Sequence, residues 1–179
     1  GIRDLVRSRG LGDVYKRQVV DGVPIAQTGA IARFCGKLSG LYPSEDSISC
    51  ALIDQFIDFV TDLTNLVYIP SNSQLTEDEK IQHRRILSEG ELKRKLDMLE
   101  DNISVNQTWI VGKEMTIADI AIWRGIGWLA SDLVAGIPQP YFVNYPKITK
   151  IFKNVDNHPK ICEWVRKTYP SNYNRGYIE

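Results

Sequence analysis

The sequence is short of the residues that mark disulfide-built and metal-dependent proteins. Its 179 residues include three cysteines and two histidines. Cys35, Cys50 and Cys162 are odd in number, widely spaced and form no C-x-x-C pair. Neither a disulfide framework nor a zinc site is indicated, and a reducing, cytoplasmic setting is expected. His83 lies in a polar run and His158 precedes a proline, which leaves no histidine cluster for a metal or a catalytic triad. Net charge is absent too: 22 Lys and Arg meet 22 Asp and Glu. No overall field therefore draws nucleic acid or an anionic membrane, and a partner must be recognised locally. Long apolar runs are also missing. Ile120 to Trp128 is cut by Arg124, and the stretch after Leu133 carries Pro138, Pro140 and Pro146, so no membrane-spanning helix is expected. What remains, 43% hydrophobic and 25% charged, is the composition of a globular chain with room for one ordinary domain or two small ones.

Residues 1–18 read differently from the rest. Arg3, Arg7, Arg9, Lys16 and Arg17 outnumber Asp4 and Asp13, apolar periodicity is weak, and the design of a signal peptide is missing. The ending GLGDVYKRQ resembles adapter read-through, so 1–18 is expected to be non-native or disordered, the alternative being a genuine basic arm. From Val19 a short apolar stretch is interrupted by Asp21-Gly22, a hairpin dipeptide. Thr28 then opens a helix with Ile31, Phe34, Cys35 and Leu38 at helical spacing, stopped by Gly40 and Pro43. Cys35 is expected to be a small core residue on that apolar side.

Five later helices can be drawn. The first, near Asp46 to Val67, aligns Leu52, Phe56, Phe59, Leu63 and Leu66. The second starts at Thr76, with Glu79 completing a capping box, and buries Ile81, Leu92, Leu96, Leu99 and Ile103. A third begins at the box Thr116 with Asp119 and carries Ile117, Ile120, Ala121 and Trp128; Trp123 and Trp128 are assigned to the core. Pro146 and Pro159 suit the first positions of a fourth and a fifth, the last ending near Lys167. No strand recurs after Gln27. The expected fold is mainly α, a helical bundle preceded by a hairpin strand and one helix.

Three blocks carry a resemblance to one family. Asp21-Gly22-Val23-Pro24-Ile25-Ala26-Gln27-Thr28-Gly29-Ala30-Ile31-Ala32-Arg33-Phe34, continuing to Gly40-Leu41-Tyr42-Pro43, resembles the "DG…QS.AI.RY…GLYP" stretch of the soluble glutathione S-transferases. Trp109-Ile110-Val111-Gly112 through Thr116-Ile117-Ala118-Asp119 is similar to that family's "LVG…T.AD". Tyr145-Pro146-Lys147-Ile148 and His158-Pro159 through Trp164 are similar to its closing "YP.L" and "HP.V..W". The blocks come in the family's order, with sigma-, pi- and mu-like features. The resemblance implies that 19–43 is the last strand-and-helix part of a thioredoxin-like α/β domain and 44–179 the all-α C-terminal domain. It also implies glutathione as co-substrate, a small hydrophobic electrophile, a detoxifying conjugation and a homodimer, without nucleic acid or membrane. The family's thiol-activating Tyr, Ser or Cys and its cis-proline have no counterpart in residues 1–18, so the expectation is a fragment that by itself does not catalyse conjugation. Alternatives on the same fold are a non-enzymatic module, such as the transferase-like domain of an elongation factor 1 gamma subunit, and a glutathione-dependent isomerase or prostaglandin synthase.

Three residues stand out for glutathione. A strand ending at Gln27 and a helix beginning at Thr28 leave backbone N–H groups unpaired at a positive helix end, an anion seat to which the Gln27 amide and Thr28 hydroxyl can add. The bland reading of Thr28 is a simple N-cap. Asp54, Asp58 and Asp62 form an acidic stripe at i, i+4 and i+8, whose bland reading is a solvated face. The resemblance implies that Asp62 reaches the γ-glutamyl amine bound to the other subunit, and that the Thr116–Asp119 box serves folding. Tyr68 is a candidate for the electrophile pocket. Asn102-Ile103-Ser104 and Asn106-Gln107-Thr108 match glycosylation sequons by chance.

Overall fold

Asp21 and Gly22 both take positive φ, 50° and 79°, the twist a two-residue hairpin requires. They join β1 (Arg17–Val20) to β2 (Val23–Ala26) as an antiparallel pair, with Arg17 opposite Ala26 and Val20 opposite Val23. The computed structural model describes residues 17–70, 73–138, 141–170 and 176. Most of the leading segment 1–18 lies outside the described residues, but Arg17 and Gln18 belong to β1.

β2 feeds α1 (Thr28–Ser39), which ends on left-handed Gly40. Six helices follow among the described residues, not five: α2 (Ser47–Val67), α3 (Glu77–Glu89), α4 (Glu91–Asn102), α5 (Ile117–Leu129), α6 (Pro146–Asp156) and α7 (Pro159–Thr168). Asp46 caps α2, accepting from the amides of Ile48 and Ser49, and Thr76 with Glu79 closes the expected box on α3. The single helix expected from Thr76 onward parts at Gly90, the weakest helix former short of proline. Ile81 and Leu92 lie close to a whole number of turns apart, so the apolar pattern stays in phase across the break and conceals it. α4 buries Leu92, Leu96 and Leu99, whereas Ile81 is only half-buried.

α5 runs through the middle, packed on α2 on one side and α6 on the other. Ala118, Ile122, Ile126 and Leu129 are its core residues. Two glycines set the helix spacing. A Cβ on Gly36 of α1 would lie 2.8 Å from Ile117 Cγ2, and one on Gly125 would lie 2.9 Å from Val60 Cγ1 of α2. α6 has Pro146 at its first position and no side-chain cap of its own. Glu100 of α4 supplies one, accepting from the amides of Lys147 and Ile148 at 2.8 and 2.9 Å.

Asp119 is fully buried. Its Oδ1 accepts from the Ile110 amide at 2.7 Å, and its Oδ2 accepts from the Thr116 amide at 2.8 Å and the Thr116 hydroxyl at 3.0 Å. Burial pushes its carboxyl above the ordinary range, and these hydrogen bonds pull the other way without cancelling it. Asp119→Ala strands the amides of Ile110 and Thr116 in a dry interior and should lower unfolding free energy by about 2–4 kcal/mol, against about 1 kcal/mol for Asp46→Ala at the exposed start of α2. Urea midpoints of the two variants check this. Equal losses would reduce the box to an ordinary cap.

Candidate functional site

Gln27 occupies φ 75° and ψ 126°, outside the left-handed basin that short polar residues tolerate. Such a residue costs on the order of 1–3 kcal/mol and persists only when its surroundings hold it. Gln27 is the N-cap residue of α1, but its side chain does not cap the helix. Thr28 is therefore the first helical residue, not an N-cap. The amides of Thr28, Gly29 and Ala30 open the helix, and no helical carbonyl precedes them to accept from them. Gln27 and Thr28 are both exposed, so the structure has a helix start facing solvent beside a strained backbone turn.

Thr28 also lines a groove of about 760 Å³ between α1, α2 and α5. Ala32 and Gly36 line it from α1, Ile57 and Val60 from α2, Ile120 and Trp128 from α5. The groove overturns one burial expectation: Cys35 is exposed and lines it. Leu38, 74% exposed, is likewise not a core residue, although it does not line the groove. Trp123 is core, and Trp128 is half-buried, packed against the core on one side while forming part of the groove wall. The groove leaves one face of α1 and one face of α5 without a covering element among the described residues. Tyr68, at the end of α2, does border the groove.

The acidic stripe on α2 is split by one cation. Arg33 of α1 binds Asp54 through Nε at 2.6 Å and Asp58 through a terminal nitrogen at 2.8 Å. The Tyr42 hydroxyl donates to both Asp54 oxygens at 3.2 Å. Asp62 is exposed and makes no ion pair among the described residues. The repulsion the stripe would suffer alone is thus answered at two of its members, and Asp62 is left with its charge toward solvent. Arg33 was missed as the clasp, although it stands inside the matched Ala-Ile-Ala-Arg-Phe stretch; its partners follow 21 and 25 residues later and only tertiary packing joins them. Among the described residues no group of three or more His, Cys, Asp or Glu is placed to hold a metal ion, and no helix is long and apolar enough to cross a membrane.

The fold is thus a hairpin leading into one helix, followed by a helical bundle threaded by a central, box-capped α5. Residues 58–168, more than half of the chain, match the family described as "Glutathione S-transferase, C-terminal domain". The chain belongs to the glutathione S-transferase family. It is 27% identical over 153 residues to a protein of Ascaris suum named "Glutathione S-transferase 1", covering 82% of this chain and 69% of that protein. It is 27% identical over 148 residues to a Gallus gallus protein named "Hematopoietic prostaglandin D synthase", covering 83% and 69%. Among solved structures it resembles rat hPGDS complexed with a quinoline (TM-score 0.71, 21% identity, 86% of this chain and 73% of that one). It also resembles a prostaglandin synthase D of Nilaparvata lugens (TM-score 0.69, 24% identity, 84% and 72%). These structural likenesses concern the fold.

Two outcomes follow from the geometry. Gln27→Gly relieves the positive φ and should leave stability unchanged or raise it by about 1 kcal/mol, despite glycine's larger unfolded-state entropy. A clear loss in thermal denaturation would mean the turn is not strained. Arg33→Gln removes the partner of Asp54 and should cost roughly 1–2 kcal/mol, whereas Asp58→Asn, at an exposed carboxylate, should cost under about 0.5 kcal/mol. Denaturant titrations of both variants check the ranking.

Proposed function

We propose that this chain forms the glutathione-positioning and groove-forming part of a glutathione transferase, with residues 19–43 as the closing piece of a thioredoxin-like domain and the helices beyond as the C-terminal domain. The observation that carries it is the solvent-facing start of α1 at Gln27 and Thr28, with Thr28 lining an apolar groove. Glutathione's γ-glutamyl carboxylate takes the amides of the first turn, where the helix dipole adds an attraction of about 0.3–1 kcal/mol. The Thr28 hydroxyl and the Gln27 amide hold the same group from the side. The groove receives the electrophile, whose reactive carbon is attacked by the glutathione thiolate. The described residues position the tripeptide and shape the groove, and none is assigned as catalytic.

Asp62 completes the seat across a homodimer in this proposal, pairing with the γ-glutamyl amine bound to the partner. Its support is electrostatic: Arg33 neutralises Asp54 and Asp58 and leaves Asp62 the member of the stripe without an ion pair among the described residues. A non-enzymatic assembly module on the same fold has no use for a γ-glutamyl receptor of this kind. Equal identity to a transferase and to a prostaglandin D synthase keeps two glutathione-dependent chemistries on the same seat, and a cytoplasmic setting belongs to the same proposal.

Calorimetric titration with glutathione tests the seat. Thr28→Val and Asp62→Asn should each weaken binding, Asp62→Asn by roughly tenfold or more because a charge-assisted hydrogen bond is lost, while Asp58→Asn changes little. Sedimentation equilibrium of the same proteins shows whether a dimer is present to place Asp62 opposite a partner's ligand. Wild-type affinity in both Thr28→Val and Asp62→Asn would sink the proposed seat.

A further inference from the structure

The charges of this chain balance overall but not along it. Residues 44–70, which hold α2, carry five Asp and Glu and no Lys or Arg, whereas residues 143–169, which hold α6 and α7, carry six Lys and Arg against Asp156 and Glu163. Asp156 is buried and accepts from the Trp123 indole at 2.9 Å, and Glu163 is paired with Lys167. On α3 and α4, Lys80, Lys93 and Arg94 each pair with an acid of their own helix. On α6, Lys147, Lys150 and Lys153 stand at i, i+3 and i+6 without a carboxylate partner among the described residues. Glu100 reaches the start of that helix, but its two oxygens accept from the amides of Lys147 and Ile148. Like charges at this spacing repel, so helix stability does not account for the row. Lys147 and Lys150 each donate to one carbonyl, of Ile103 at 2.8 Å and of Val105 at 3.2 Å, which ties down the loop after α4 and neutralises neither charge. Lys153 donates to no described residue.

The outer face of α6 also borders a cleft of about 460 Å³, lined by Val143, Pro146, Thr149, Lys150, Lys153 and Asn154, with no acid in its wall. It lies opposite the face that buries Ile148, Ile151, Phe152 and Val155, and it shares no residue with the groove between α1, α2 and α5. The Thr149 hydroxyl is committed to the Phe142 carbonyl at 3.3 Å. The rest of the wall offers three things at once. Two ammonium groups supply positive charge. Val143, 68% exposed, and Pro146 supply apolar surface. Asn154 directs its amide nitrogen to the Thr108 carbonyl at 2.7 Å, so its Oδ1 remains as an acceptor. An inorganic anion uses only the first of these, and a bilayer surface, flat on this scale, meets the lysines but not the floor of the cleft. An extended protein segment uses all three: carboxylates on the lysines, an apolar side chain against Val143 and Pro146, and a backbone N–H on Asn154. We propose that the outer face of α6 docks an acidic segment of a partner protein, in which Asp or Glu flank an apolar residue, through Lys150 and Lys153. Charge complementarity selects this occupant, and the docking is independent of the glutathione seat at Thr28.

The probes are three end-blocked peptides titrated calorimetrically into the full chain: Asp-Glu-Leu-Asp-Glu, its uncharged counterpart Asn-Gln-Leu-Asn-Gln, and Asp-Glu-Ser-Asp-Glu. The first should bind about fivefold or more tighter than the second at low salt, and the gap should narrow at physiological salt. Replacing its leucine by serine should weaken binding about threefold. Lys153→Glu should bring the acidic peptide down to the affinity of the uncharged one, Lys153→Gln should weaken it about twofold to threefold, and Lys93→Gln on α4 should change little. In amide NMR spectra the acidic peptide should move residues 149–154 and leave the start of α1 in place. No binding, no preference for the acidic peptide, or a preference that survives Lys153→Glu overturns the proposal. So does inorganic phosphate that moves the same amides and displaces the peptide at equal concentration, because the cleft then takes free anions. Sedimentation with phosphatidylserine vesicles that is lost in Lys153→Glu, without peptide binding, makes this a membrane face and overturns it too. If Lys153→Glu dissociates an oligomer of the wild type, the occupant is a second copy of this chain and the proposal fails. It also fails if both Lys153 variants lose the fold by circular dichroism, since the lysine is then structural. Glutathione affinity should be the same in Lys153→Glu as in the wild type. A parallel loss of both ligands would mean one shared site and sink the inference, whereas peptide docking in a chain that binds no glutathione leaves it standing and refutes the glutathione reading instead.

Discussion

The carboxylate of Asp119 is the contact on which the rest of the bundle depends. It is fully buried and accepts from two backbone amides and one hydroxyl, one of the amides belonging to Ile110 in the segment before α5. A charge placed there without those donors would be prohibitively costly, and the donors without the carboxylate would be stranded. The start of α5 and the loop leading to it must therefore form together. Because α5 is packed between α2 and α6, its direction sets where both neighbours lie. The amide of Ile117 also donates to the Leu41 carbonyl at 3.0 Å, which brings the segment after α1 to the same point.

From that centre the groove arises as a consequence of small residues. Gly36 allows α1 to approach Ile117, and Gly125 allows α2 to bring Val60 against α5. Arg33 then ties α1 to α2 by gripping Asp54 and Asp58. The clasp has two effects of opposite kind. It holds two walls of the groove together, and it removes two of three like charges from the face of α2, leaving Asp62 as the exposed remainder. The strained turn at Gln27 sits where β2 passes into α1, so a local backbone cost coincides with the helix start that the glutathione proposal uses.

Much of the local structure was legible because local rules carry it. Asp21-Gly22 announced a two-residue turn, the Thr-x-x-Glu and Thr-x-x-Asp boxes marked two helix starts, and Pro146 and Pro159 marked two more. The break at Gly90 was not legible, since the apolar period continues in phase through it and a single glycine is compatible with an unbroken helix. The face of α1 was misread for a related reason. Periodicity says that one side of a helix is apolar, but not whether a neighbour covers it, and Cys35 and Leu38 are exposed on a side that the described residues leave open.

The site divides along the same line. The residue types at Gln27, Thr28 and Asp62 and their order in the chain were readable from matched motifs, and the helix start between them followed from hairpin and cap rules alone. Arg124 entered the sequence reading only as the charge that interrupts an apolar run. What the sequence by itself determined is the hairpin, the starts of most helices and the Thr116–Asp119 box, because those depend on residues within a few positions of one another. Only the tertiary structure decided that Arg33 neutralises two aspartates distant in sequence, that Asp62 has no ion pair among the described residues, and that Arg124 lines an apolar groove. Those outcomes depend on which helix faces meet, and charge pairing and cavity shape are properties of the packed interfaces between helices.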